Sequence, residues 1–258
     1  MSEALVLVDA PSDPTRIVTL NRPQRRNALS RALIAELGTA LHAVTHEAGV
    51  RTVILTGADP AFCAGLDLKE VSEKGIRTDG GDGGPNPWFT LLDSPVPVIA
   101  AVNGAAITGG FELALACDFI VASERAVFAD THALVGVHPG GGLSATLADF
   151  VGTRKALELS LTGVVIDAQE AARIGLANHV VPHDELLPRV LDIAERIAVP
   201  GETISRAIRE TYRVGQHAPS RADRLRIERE AFARLTVDRE DIGARWQSIR
   251  AGNREQIT

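Results

Sequence analysis

Two stretches of this 258-residue sequence place small residues where a strand gives way to a helix: AFCAGLDLKE at residues 61–70 and NGAAITGGFELA at residues 103–114. Small residues at such a junction let a ligand come close to the main chain. The unpaired amides of the first helical turn then point at whatever lies there. Brought together, two junctions of this kind would supply a pair of N–H donors for an oxygen that gains negative charge during a reaction. Either stretch alone reads more readily as a tightly packed helix start. Neither contains GxGxxG or GxxxxGK[ST], so a nucleotide-phosphate loop of those types is not indicated.

Other chemistry is excluded by composition. Lys and Arg number 27 against 33 Asp and Glu, giving a net charge of −6 with no long run of one sign. A protein that grips a nucleic-acid backbone needs the opposite balance, so no nucleic-acid partner is expected. Cys63 and Cys117 lie among small apolar residues without CxxC spacing and read as two buried thiols in a reducing compartment. The first ten residues lack a basic patch before an apolar run, and no apolar stretch reaches bilayer-spanning length. The expectation is a cytoplasmic protein with no membrane partner.

The elements that must position the two stretches follow from periodicity. Residues 5–9 and 16–21 read as short strands, and Leu33, Leu37, Leu41 and Val44 take helical spacing behind the N-cap candidate Ser30. Residues 51–56, 96–102 and 118–122 are apolar, β-branched runs of the kind buried in a sheet, with a short helix at 110–117. Five glycines fall in residues 74–87, which read as a mobile loop near a functional surface or as a plain surface loop. Helices are predicted at 143–150, 154–162, 168–174, 184–197, 203–214 and 221–235, with short extended pieces at 164–166 and 179–181. Strands alternating with helices, then a helical last third, give an α/β fold.

A longer series of motifs stands in order along the chain: Asn21-Arg22-Pro23, Asn27-Ala28-Leu29, Ala64-Gly65-Leu66-Asp67, Gly109-Gly110-Phe111-Glu112-Leu113-Ala114, Cys117-Asp118 and Gly136-Val137-His138-Pro139-Gly140-Gly141-Gly142. In order and separation this series resembles the crotonase superfamily, the enoyl-CoA hydratase/isomerase family, over most of the chain. The resemblance implies a spiral of ββα units over residues 1–190 and a C-terminal helical oligomerisation region over 191–258, building a homotrimer or a dimer of trimers. It also implies an acyl-CoA thioester as substrate, with coenzyme A entering as part of that substrate, no separate cofactor and no metal.

Carried over by position, the amides of Leu66 and Gly109 form an oxyanion hole for the thioester oxygen, where losing one donor typically costs about 3–4 kcal/mol of barrier. Glu112, one turn into the same helix, becomes the proton-transfer residue. Its neighbours Phe111, Leu113 and Ala114 imply a buried carboxyl, and burial favours the protonated form. The family's second glutamate falls on His132, which could take its place or serve only as a pocket residue. Arg25, Ala64, Asp67 and Leu68 are the implied CoA contacts, with Arg26 and Lys69 as further candidates and Trp88 and Phe89 as borders of an acyl pocket. The reaction implied is addition of water to a 2-enoyl-CoA. Isomerisation, decarboxylation and non-catalytic acyl-CoA binding remain open alternatives.

Overall fold

The computed structural model describes residues 4–75, 84–235, 242, 243 and 246. The glycine-rich stretch read as a mobile loop falls largely outside them, at residues 76–83. The described chain separates into two compact units, Met1–Glu202 and Thr203–Thr258.

In the first unit, strand alternation decides which side chains go to which face. Strands β1 (Val6–Ser12) and β2 (Thr15–Leu20) pair antiparallel, and the Ser30 hydroxyl accepts from Leu33 N to start helix α1 (Arg31–Thr45). Strand β3 (Thr52–Gly57) is buried along its whole length. Two helices follow: α2 (Leu68–Lys74), capped by Asp67, and α3 (Pro87–Leu92), whose cap Asn86 accepts from both Trp88 N and Phe89 N. The chain continues through β4 (Val98–Val102), β5 (Ala105–Ile107), α4 (Gly109–Ala116), β6 (Phe119–Ser123) and β7 (Val127–Ala129). Helices α5 (Leu143–Val151) and α6 (Thr153–Thr162) come next, then β8 (Ile166–Asp167), α7 (Ala168–Arg173), β9 (His179–Val181) and α8 (Leu186–Ala198).

One sheet runs in the order β1-β2-β3-β4-β6-β9, parallel from β2 to β9. A second, three-stranded sheet runs β5-β7-β8. Val53, Leu55, Val98 and Ala100 join the larger core cluster with α1, Trp88 of α3 and Phe111 of α4, whereas Ile54, Ile99 and Ala101 turn to the opposite face. There Leu186, Val190 and Ala194, four residues apart along α8, cover them.

The second unit contains α10 (Arg221–Arg234) and all but the first residue of α9 (Glu202–Gln216). A groove of about 750 Å³ within it is lined by Ile204, Ile208, Tyr212, Phe232 and Leu235, with Ile208, Tyr212 and Phe232 exposed.

The predicted helices and longer strands are present, with ends shifted by a few residues. Three elements were not predicted: β5, β7 and α3. Two of these are three-residue strands, too short for alternation to register. The third is a helix whose first residue, Pro87, reads from sequence as the end of a loop.

Candidate active site

The stretch at 61–67 is clasped on two sides by main-chain hydrogen bonds. Leu29 N donates to Gly65 O at 2.7 Å and Asp67 N to Leu29 O at 3.1 Å; on the other side Cys63 N donates to Ala105 O and Ile107 N to Cys63 O, both at 2.9 Å. The segment carrying Leu66 is thereby laid beside β5, which leads directly into α4. Contact at this seam is close enough to require glycine. A Cβ on Gly65, whose φ is +89°, would stand 2.9 Å from Ile107 O and 3.7 Å from Gly109 N. A Cβ on Gly110 would fall 2.2 Å from Cys63 O.

The turn into α4 is strained. Thr108, the residue before Gly109, has φ 52° and ψ −111°, a conformation that costs a β-branched residue about 1–3 kcal/mol. It is held by Thr108 N donating to Ala129 O at 2.8 Å and by a hydroxyl contact with Thr131. Among the described residues neither Leu66 N–H nor Gly109 N–H has a hydrogen-bond acceptor. Two amides free of internal partners therefore lie on adjoining segments, the second at the positive end of an entirely buried helix.

Trp88 packs over this seam. Its indole Nε1–H donates to Gly109 O at 3.1 Å, and its ring lies against Gly141. Of the two aromatics expected to border a pocket, Trp88 is buried and Phe89 is half exposed.

Glu112, one turn along α4, is buried, and its Oε1 accepts from Gly141 N at 2.7 Å and Gly140 N at 3.2 Å. Its Oε2 lies 3.7 Å from His132 Nε2. Burial pushes the Glu112 carboxyl above the usual carboxylate range, a rise that the Gly141 amide and the charge of His132 only partly offset. His132 is buried too, and its other ring nitrogen, Nδ1, lies 2.6 Å from Asp130 Oδ1. For Asp130, burial works upward but is outweighed by the hydrogen bonds from His132, so this carboxyl sits below its usual range. The result is a buried row of Asp130, His132 and Glu112. Asp130 was not singled out from sequence; its separation of two residues from His132, followed by a tight turn, was the available signal.

The remaining candidates are not part of this buried row. Ala64 is half-buried, its N–H given to Arg26 O at 3.0 Å, and Leu68 is exposed. Asp67 pairs with Arg22 at 2.7 Å and caps α2 through Glu70 N, which holds its carboxyl below the usual range, so any ligand contact from Asp67 would come from its main chain. Arg25, Arg26 and Lys69 are exposed. Asn27 is a brace: fully buried, it accepts from Arg22 N at 2.9 Å and donates to Ala58 O at 2.8 Å and Ala61 O at 2.6 Å. Both cysteines are buried and free, and burial pushes the Cys63 thiol up to about 12.

A two-sheet α/β spiral with a buried carboxyl beside two adjoining segments whose amides lack internal partners defines the class of protein. The family description "Enoyl-CoA hydratase/isomerase" matches residues 15–245, and the chain belongs to that family, the crotonase superfamily. It is 40% identical over 231 residues, 85% of each chain, to a probable enoyl-CoA hydratase of Rhizobium meliloti. Among solved structures, enoyl-CoA hydratase from Bacillus anthracis superposes with a TM-score of 0.86 at 35% identity, covering 95% of this chain and 96% of that one. A monofunctional enoyl-CoA isomerase from M. smegmatis gives 0.74 at 36% identity, covering 86% and 98%.

Proposed function

We propose that this protein adds water across the double bond of a 2-enoyl-CoA thioester. Leu66 N–H and Gly109 N–H would receive the thioester oxygen, because attack at the β-carbon drives charge onto it and fixed donors stabilise the resulting enolate. The observation that carries the reading is the Glu112–His132 pair, 3.7 Å between Oε2 and Nε2, buried beside the turn that presents Gly109.

Hydration needs one proton removed from water and one delivered to the α-carbon. A pair holding a single exchangeable proton does both without net change: one member accepts as the water oxygen bonds to the β-carbon, and the other donates to the α-carbon. A carboxyl with its pKa raised by burial beside an imidazole suits this exchange near neutral pH. Both transfers are internal to the pair, so the scheme calls for no metal and no cofactor beyond the CoA carried by the substrate. Arg25 and the main chain of Ala64, Asp67 and Leu68 are assigned to the CoA moiety. Self-association as a homotrimer or a dimer of trimers belongs to the same reading, with the apolar groove of the second unit, where Ile208, Tyr212 and Phe232 are exposed, as the candidate surface. Among the described residues no helix is long and apolar enough to cross a membrane.

The test is loss of the conjugated-thioester absorbance when purified protein meets crotonyl-CoA and longer 2-enoyl-CoAs, with Glu112→Gln as control. Turnover abolished by that substitution supports hydration. Tight binding without turnover would favour an acyl-CoA sensor. Conversion of 3-enoyl-CoA to the conjugated isomer without hydration would favour isomerisation, the second reading, to which the isomerase-like structure gives weight.

A further inference from the structure

The pair assigned to proton exchange works only if the right nitrogen of His132 faces Glu112 with the right occupancy. Neutral imidazole carries its proton on either Nδ1 or Nε2, and the hydrogen bond made by one nitrogen sets the state of the other. Were Nε2 to carry the resident proton, a protonated Glu112 would face it with a second one, and that edge would have donors and no acceptor.

Asp130 removes this ambiguity. It follows β7, is fully buried, and its Oδ1 receives two donors from one residue: His132 main-chain N–H at 3.1 Å and ring Nδ1 at 2.6 Å. Gripped at backbone and ring together, His132 has little freedom to rotate. An ionised carboxylate is an acceptor only, so the atom facing it must be N–H. Asp130 Oδ2 has no hydrogen bond of proper geometry among the described residues, so the donors of His132 are the ones that fix this carboxylate. Asp130 and His132 both line a cavity of about 300 Å³.

Resting on the hydratase reading for its kinetic consequence, we propose that Asp130 is a positioning residue that holds His132 in the Nδ1–H form, keeping the site's one exchangeable proton on the edge between His132 Nε2 and Glu112 Oε2. In this reading Asp130 acts through His132, whose backbone N–H and ring Nδ1 it holds, and not on the reacting atoms directly. Among the described residues, the titratable groups that meet His132 or share its cavity are Glu112 from α4, Asp130 itself and His138 from the following loop. Ser160 from α6 adds a hydroxyl beside Asp130.

Two measurements test this, and only the second depends on the reaction. Solid-state ¹⁵N NMR of histidine-labelled protein, with His132 assigned by its loss in His132→Gln, is expected to show Nδ1 protonated and Nε2 bare in the wild type at a pH where the ring is neutral. In Asp130→Ala the Nε2–H form should appear. A wild-type ring with Nε2–H overturns the proposal whether or not the protein hydrates anything.

With crotonyl-CoA, Asp130→Ala is expected to lower kcat by about 100-fold or more, the lower range of general acid–base contributions, with KM changed less than about threefold. The acid limb of kcat/KM should move to lower pH, because removing a buried negative charge behind the pair makes the pair's proton easier to lose. Asp130→Asn, which retains shape, should show the same shift of the limb if the alanine variant fails to fold. An unmoved limb in both folded variants overturns the proposal. Absence of hydration in the wild type would sink the hydratase reading instead, leaving the NMR result to decide the role of Asp130.

Discussion

Gly110→Ala tests whether the seam between residues 61–67 and α4 sets the rate. Gly110 is not itself assigned a donor or a proton. Its added Cβ would lie 2.2 Å from Cys63 O, 2.7 Å from Cys63 Cβ and 2.8 Å from Cys63 C, so the obstacle is partly main chain and cannot rotate aside. Restoring ordinary contact at about 3.4 Å requires the two segments to part by about 1 Å. Overpacking of this kind costs about 1–3 kcal/mol, within reach of a domain that stays folded.

The same displacement moves Leu66 N–H away from Gly109 N–H. A misplacement of about 1 Å typically costs on the order of 100-fold in rate, and full loss of one donor about 3–4 kcal/mol of barrier. The expected outcome is therefore a folded variant with kcat on crotonyl-CoA reduced by about 100-fold or more and KM changed much less, since the donors act mainly on the charge that develops in the transition state. Stopped or continuous absorbance assays give kcat and KM, and thermal melting checks folding. A Gly110→Ala variant that folds and turns over at the wild-type rate would refute the claim that this seam positions the donors.

Three further outcomes are expected. Because burial raises the Glu112 pKa in the folded state, its stabilising contribution is fully present below the unfolded value and is lost as pH rises through the folded one. Glu112→Gln does not titrate, so its Tm relative to wild type should climb from the ordinary carboxylate range upward and stay flat at more acid pH. Trp88→Phe removes the 3.1 Å bond to Gly109 O that steadies the start of α4, and kcat is expected to fall by about tenfold or more with Tm lowered by only a few degrees, read by the same assay and by melting. Asn27→Ala strips partners from Arg22 N and from the carbonyls of Ala58 and Ala61. With about 1–3 kcal/mol at stake for each buried group left unpaired, Tm should drop by at least about 5 °C, and an unchanged Tm would show that Asn27 is no brace.

Much of this was legible in sequence because it rests on local rules. Leu33, Leu37, Leu41 and Val44 repeat at helical spacing, and all are buried in α1. Residues 51–56 and 96–102 are apolar and β-branched, and β3 and β4 are buried throughout. Glu112, flanked by Phe111, Leu113 and Ala114, reads as buried and is 3% exposed. Short elements were less legible. Ala105–Ile107 exists as a strand because β7 and Cys63 supply its partners, and no pattern within three residues reports that.

The order of motifs by itself determined the family, the α/β spiral and the candidate residues, because small residues, turn glycines and apolar periods act within a few positions of one another. Only the tertiary structure decided that Gly65 abuts Gly109 across 44 positions, that Asp67 is spent on Arg22, and that Asp130 stands behind His132. Those are relations between side chains and amides from different turns of the spiral. Distance and hydrogen-bond direction set them, and a linear sequence carries neither until the chain is packed.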